Sequence, residues 1–332
     1  MKKLSSLIAV LLMATLVFAC FTPQALAADS KVIGVSMSTF EVQFFQAEVD
    51  VIKEVAEANG FTIDLAICDL DANKQMTQIE DMINKGVAAV ICCAQDASAI
   101  VASVEACKAA DIPFIAMGKP PTDMTNVTAA ILVDGIESAK VAADTIKDQA
   151  DKLGYTEVKV MEIVGDLNDQ NAVQRHEGFV KRAEELGFAI VASIPTEWNL
   201  DLCQQRFTDA ITTDDDFNAV YCPSDFMLTS VISVLKENKM LVKNGEPGHI
   251  IIVTIDGDPY GMQQVMEGYN DATINTDAFD FGRLAAQAAV DLINGVELED
   301  QIIWVPNVPL TRENIPELGE TIWGGKYKLS GN

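Results

Sequence analysis

The segment from Lys31 to Ile67 is written twice in this chain, at a constant offset of 127 residues. Its first copy begins with an apolar strand, Lys31-Val-Ile-Gly-Val-Ser-Met37. A six-residue loop, 38–43, leads into a helix opening at Phe44-Phe45 and closing at Gly60-Phe61, and Thr62 to Ile67 forms the next strand. In the second copy Val158 to Val164 is the strand, 165–170 the loop, and Asn171 opens a helix that closes at Gly187-Phe188 before the strand Ala189 to Ile194. Two similar βαβ openings predict two similar α/β lobes. In open α/β sheets a ligand lies beyond the carboxyl ends of the strands, so both six-residue loops should face it.

Between the copies the alternation continues. Helical spacing over Met76–Lys85 stops at Gly86, Val87–Cys93 is a buried strand and Ala97–Ala110 a helix of small residues. Strands follow at Ile112–Met117 and Val127–Val133, with a helix at Ile136–Ala150. The second half repeats the rhythm: helix 201–212, strand 219–222, helix Phe226–Asn238, strand Ile250–Ile255, helix Tyr260–Glu267 and strand Ala272–Asn275. A helix at Phe281–Asn294 and a strand at Ile302–Val305 complete it, and the tail from Glu317 is expected to be loosely ordered. Such alternation predicts an α/β fold of two Rossmann-like, doubly wound lobes.

Composition narrows the setting. Met1-Lys2-Lys3, an apolar run from Leu4 to Phe18 and Ala25-Leu-Ala27 have the form of a secretory signal peptide, with Ala28 as the first mature residue. A competing reading takes Val17-Phe-Ala-Cys20 as a lipoprotein signal with Cys20 acylated. Loss of residues 1–27 would leave 21 basic against 49 acidic side chains, a net charge of −28, which argues against nucleic acid as a partner. The six cysteines beyond Cys20 contain no C-x-x-C pair and four of them fall in predicted strands, so they read as buried free thiols. No metal and no cofactor is expected: Asp166-Leu-Asn-Asp-Gln170 lacks the alternating spacing of a calcium loop.

The order of motifs resembles the ribose/galactose-type periplasmic sugar-binding proteins of ABC importers. The resemblance covers residues 31–315 and rests on Ser38-Thr-Phe-Glu-Val-Gln-Phe-Phe45, Gln78–Gly86, Arg175-His-Glu-Gly-Phe179, Ser224-Asp-Phe-Met227, Ile255-Asp-Gly257 and Trp304–Asn314. It implies two lobes closing over ligand about a hinge of three crossovers, near Val133-Asp134, Thr276-Asp277 and Ile303-Trp304. The N-terminal lobe would then be 28–133 plus 277–303, the C-terminal lobe 134–276 plus 304–316, and the tail 317–332. It also implies an extracytoplasmic receptor, not an enzyme, that acts as a monomer and hands a small solute to a membrane permease, with a chemoreceptor as a further candidate partner.

Residue by residue, Phe44 and Phe45 match the family's ring-stacking aromatics and Trp198 the aromatic of the other lobe. Asp256 matches an aspartate that takes hydroxyl pairs, and Asp134 a second one; plain turn or helix capping is the alternative for each. At other contact positions the family's polar residues are replaced, by Val42, Gly118-Lys119, Val173, Ser224 and Thr276. What remains is an acidic, aromatic mouth of Glu41, Asp166, Asn168, Asp169, Asp225 and Asp256, with Lys119 the only nearby cation and none of the five arginines at a contact position. This set, with Ser224 and Thr276, fits a neutral sugar, polyol or modified sugar better than an anion. An amine-bearing or aromatic ligand is the second reading. A cleft hydrolase using Glu41 and Asp256 is the third, and it has no supporting nucleophile or zinc motif. A repressor of the lactose type needs a basic helix-turn-helix before the first strand, where this sequence has an apolar leader.

Overall fold

The repeat survives in three dimensions, to the residue in its first strand and helix and with one residue added at the end of its second strand. A computed structural model describes residues 30–41, 43–319 and 321–326; the leader, Cys20 and Val42 lie outside the described residues. Strand β1 (Val32–Met37), helix α1 (Gln43–Ala58) and strand β2 (Thr62–Ile67) recur 127 residues later as β6 (Lys159–Val164), α5 (Gln170–Glu185) and β7 (Ala189–Pro195). Both helices end in the same way. Gly60 and Gly187 take φ of 78° and 75°, which glycine adopts without steric cost, and Phe61 and Phe188 donate backbone hydrogen bonds of 2.9 Å to Ala56 and Ala183.

The remaining elements of the first lobe are α2 (Ala72–Lys85), β3 (Ala89–Cys92), α3 (Val101–Ala109), β4 (Phe114–Met117) and β5 (Ala129–Leu132). Those of the second are α4 (Gly135–Leu153), α6 (Leu200–Thr213), β8 (Ala219–Tyr221), α7 (Asp225–Glu237), β9 (Ile251–Asp256), α8 (Pro259–Glu267) and β10 (Ala272–Asn275). Then come α9 (Ala278–Ile293), β11 (Ile302–Trp304), β12 (Val308–Thr311), α10 (Ile315–Leu318) and α11 (Trp323–Lys326). The sheets run β11-β5-β4-β3-β1-β2 and β12-β10-β9-β8-β6-β7, parallel throughout except for the antiparallel β10–β12 pair.

The chain passes between the sheets three times. After β5, α4 packs on α5; after β10, α9 packs on α1; and after β11 the chain enters the second sheet as β12. The third passage follows Trp304, which still pairs with Leu132, and so lies just beyond the Ile303-Trp304 expected from the sequence. Close backbone approach seals both helix pairs. A Cβ on Gly282 of α9 would collide with the Glu48 carbonyl of α1, and one on Gly178 of α5 with the Ile136 carbonyl of α4.

Some boundaries differ for identifiable reasons. α2 starts at Ala72, not Met76, because Asp71 caps it by accepting from Asn73 N and Lys74 N, and its polar first turn shows no apolar spacing. The first turn is not idle: buried Gln75 donates to Ser36 Oγ at 3.1 Å and to the Cys93 carbonyl at 3.0 Å. α3 starts at Val101 because Asp96 folds residues 98 and 99 into a turn first. Of the tail expected to be loosely ordered, the described residues 321–326 include α11, in which Trp323 is buried. All six described cysteines are free and buried, with Cys92 and Cys93 on opposite faces of one sheet. Burial pushes the thiols of Cys93, Cys107 and Cys203 up to about 12.

Beneath the second sheet, His249 lies with Nδ1 2.7 Å from the Val242 carbonyl and Nε2 3.0 Å from Asp271 Oδ2. Two acceptors, one on each ring nitrogen, select the doubly protonated imidazolium. Burial alone would lower its pKa, but the hydrogen bond to Asp271 and the charge of that carboxylate outweigh it and leave the pKa raised. The resulting stability is fully present below about pH 6.5, the unfolded value, and is lost as pH climbs through the raised folded value. The melting temperature is therefore expected to fall as pH rises above 6.5, and His249→Gln to flatten that slope. An unchanged slope in the variant would assign the effect to other groups.

Candidate functional site

The carboxyl ends of both sheets carry the loops that the sequence singled out. In the second lobe they converge on one group. Asp256, the last residue of β9, accepts from Arg175 Nη2 at 3.0 Å on one oxygen and from Ser224 Oγ on the other. Arg175 also donates to the Pro223 carbonyl, and Ser224 caps α7 by accepting from Phe226 N at 3.2 Å. Asp256 has φ of 120°, which is costly for any side chain but glycine. Its carbonyl is held by Thr276 N at 3.1 Å, so the strained residue is fixed from both sides.

The cluster retains unused hydrogen-bonding capacity. Arg175 Nε, Asn275 Oδ1 and Thr276 Oγ1 are buried without a partner among the described residues, and each Asp256 oxygen can accept a second donor. Sequence reasoning missed Arg175, and Lys119 is not the only cation here as expected. The signal was present in Arg175-His-Glu-Gly178: Gly178 seats α5 against α4, and the residue three positions earlier lies on the same helix side.

The other candidates separate clearly. Trp198, with φ of 51°, lies over Gly165, where a Cβ would strike the indole, and donates from Nε1 to Asp169 Oδ2 at 2.9 Å. Asp169 also caps α5 through Asn171 N at 3.0 Å, so the six-residue loop and the indole are one unit. Asp166 accepts from Asn168 N at 2.9 Å and shapes the same loop. Asp225 does not belong to the mouth. It is 1% exposed, accepting from Thr254, from Thr273 Oγ1 at 2.8 Å and from Asp258 N at 2.8 Å. Burial, with the charges of Asp258 and Asp256, holds its pKa well above the usual carboxylate range.

In the first lobe Glu41 and Lys119 are exposed at the loops after β1 and β4. Phe44 is packed edge-to-face against Phe45, Phe281 and Trp323, at 6.0, 6.0 and 5.2 Å between centroids. Both rings are half-buried, but Phe44 is committed to three ring contacts, and Phe45, which meets only Phe44 among the described aromatic rings, is the freer of the two. Asp134 caps α4 by accepting from Glu137 N at 3.0 Å, the capping alternative. Among the described residues no helix is long and apolar enough to cross a membrane.

Comparison with known proteins agrees with this two-lobe fold. The chain is 24% identical over 270 residues to the ribose import binding protein of Bacillus subtilis, spanning 81% of this chain and 84% of that one. It is also 24% identical over 244 residues to the D-apiose import binding protein of Actinobacillus succinogenes, spanning 73% and 75%. An ABC transporter solute-binding protein from Bacillus halodurans with bound myo-inositol superposes with a TM-score of 0.71 at 25% identity, covering 87% of this chain and 96% of that one. A periplasmic ribose ABC transporter protein from Conexibacter woesei gives 0.78 at 21% identity, covering 88% and 95%, and supports the fold. The family profile described as periplasmic binding protein domain matches residues 33–297. This chain belongs to the periplasmic binding protein family, as a solute-binding component of ABC importers and not an enzyme.

Proposed function

We propose that the protein captures a neutral, polyhydroxylated ring, a sugar or cyclic polyol, between its lobes and delivers it to an importer's membrane subunits. The observation that carries this is the Arg175–Asp256–Ser224 cluster. An ion pair that is neutral overall, flanked by the spare capacity of Asn275 and Thr276, offers donors and acceptors side by side, as adjacent hydroxyls require. Because Asp256 already neutralises Arg175, the arginine is not a free clamp for a carboxylate or phosphate. Phe45 and Trp198 supply aromatic surface for the C–H faces of such a ring, with Glu41 and Lys119 at the rim of the first lobe. Export through a leader cleaved after Ala27 fits this role, with the periplasm or cell surface as its place of work.

The relatives named above carry ribose, apiose and myo-inositol in their names, and those three compounds form the first test panel. Native mass spectrometry of the protein as purified should be joined to thermal shifts with D-ribose, D-apiose, myo-inositol and a set of small amines. A true ligand at 100 times its dissociation constant adds about 2.7 kcal/mol to stability. A shift with a sugar or polyol supports the proposal. A shift confined to amines would replace it with the amine-receptor reading, which the net charge favours.

A further inference from the structure

Beyond the three crossovers, consecutive residues of the tail are anchored in different lobes. Ile322 packs with Met262, Val265, Leu310 and Ile315, all from the second lobe. Trp323 packs with Ala47 and Val51 of α1 and with Ala278 and Phe279 of α9, which belong to the first. The next residue, Gly324, presses on the loop after β9, where a Cβ would collide with the Gly257 carbonyl. Trp323 N donates to Asp277 Oδ1 at 3.3 Å, at the second crossover, and Lys326 Nζ stands 5.2 Å from the centre of the Phe279 ring.

The tail thus touches both halves of the candidate site from behind. It backs Phe44 through the edge-to-face contact with Trp323, and it backs the Asp256-Gly257-Asp258 turn through Gly324. We propose that the segment Thr321 to Lys326 is a fourth tie between the lobes, with Trp323 as a positioning residue that limits how far the cleft opens. The proposal rests on the reading of the protein as a receptor whose lobes close on ligand. Rotation of the lobes about the three crossovers would have to draw Trp323 from its pocket or lift Gly324 from the turn. Since exposing a buried aromatic side chain to water is unfavourable, the tie biases the ligand-free protein toward closure.

The test needs no ligand, so its outcome is independent of the sugar panel. Spin labels on cysteines introduced at exposed Lys53 in α1 and Lys236 in α7 would report the interlobe distance by double electron–electron resonance. Trp323→Ala is expected to shift the distribution to longer, broader distances, and Trp323→Phe to restore most of the original one. Gly324→Ala removes no core volume and should shift it in the same direction, which covers the case in which Trp323→Ala fails to fold. Distributions matching the unsubstituted protein in Gly324→Ala and in folded Trp323→Ala, even with a lowered melting temperature, would overturn the proposal and leave the tail as packing alone.

Discussion

Asp225→Ala is expected to destabilise the protein by about 3 kcal/mol, since it strips the acceptor from several buried donors at once. The carboxylate lies in the second sheet's carboxyl edge, taking hydrogen bonds from the Thr254 and Thr273 hydroxyls and from Asp258 N. The one substitute within reach is the Ala272 carbonyl, 3.5 Å from the Thr254 hydroxyl. The Thr273 hydroxyl already accepts from Gly257 N and that of Thr254 from Asn270 Nδ2, so each has only its proton to place. The same side chain fills the space against Gly261, where even a Cβ would collide with it. Asp225→Asn keeps the shape and one acceptor and should cost less, in part because it removes a charge that Asp256 and Asp258 oppose. Urea unfolding midpoints of the two variants decide the matter. Equal and small losses would show that the network contributes little.

Trp198→Ala is expected to abolish capture of whichever panel compound binds, at least a hundredfold, while leaving the fold intact. Truncation of a central aromatic anchor commonly costs 2–4 kcal/mol of binding, and 2.7 kcal/mol corresponds to about a hundredfold. The indole is only partly buried and its hydrogen bond goes to a loop carboxylate, so the second lobe's core loses little. Isothermal titration of the variant, with its melting curve as control, separates the two effects. Normal affinity in a folded variant would remove Trp198 from the pocket.

Much of the architecture was legible because it was written twice. β1, α1 and the start of β2 recur in the second lobe at the offset read from the sequence alone. The elements that were missed lack local signals. β12 is four residues with a proline, antiparallel, and defined by its neighbour β10 and not by its own pattern. α11 reads Trp-Gly-Gly-Lys, a poor helix former by propensity, and is ordered by contacts with both lobes. Asp256, Ser224 and Trp198 lie at the carboxyl ends of β9, β8 and β7, where the alternation of strands and helices puts them. The sequence did not reveal that Arg175, 81 positions from Asp256, would meet it, because that meeting depends on β6, β8 and β9 lying side by side. Asp225 was misplaced for the opposite reason. An acid beside a capping serine gives no local sign that it turns inward to two threonines.

The exchange of helices between the halves has a consequence for how the chain acquires its shape. The first sheet's five early strands are complete by Leu132, yet the face built by Phe281, Ala285, Ala286, Ala289 and Val290 arrives only with α9. Until then α1, through Val49, Ile52 and Ala56, is the one helix on that side of the sheet, and Ile115 and Ile131 wait for α9. A ribosome delivering residues in order, at about 5–20 per second, leaves this lobe half-built for many seconds. A polypeptide bound for export must stay threadable for that interval, and here the order of its segments supplies the delay.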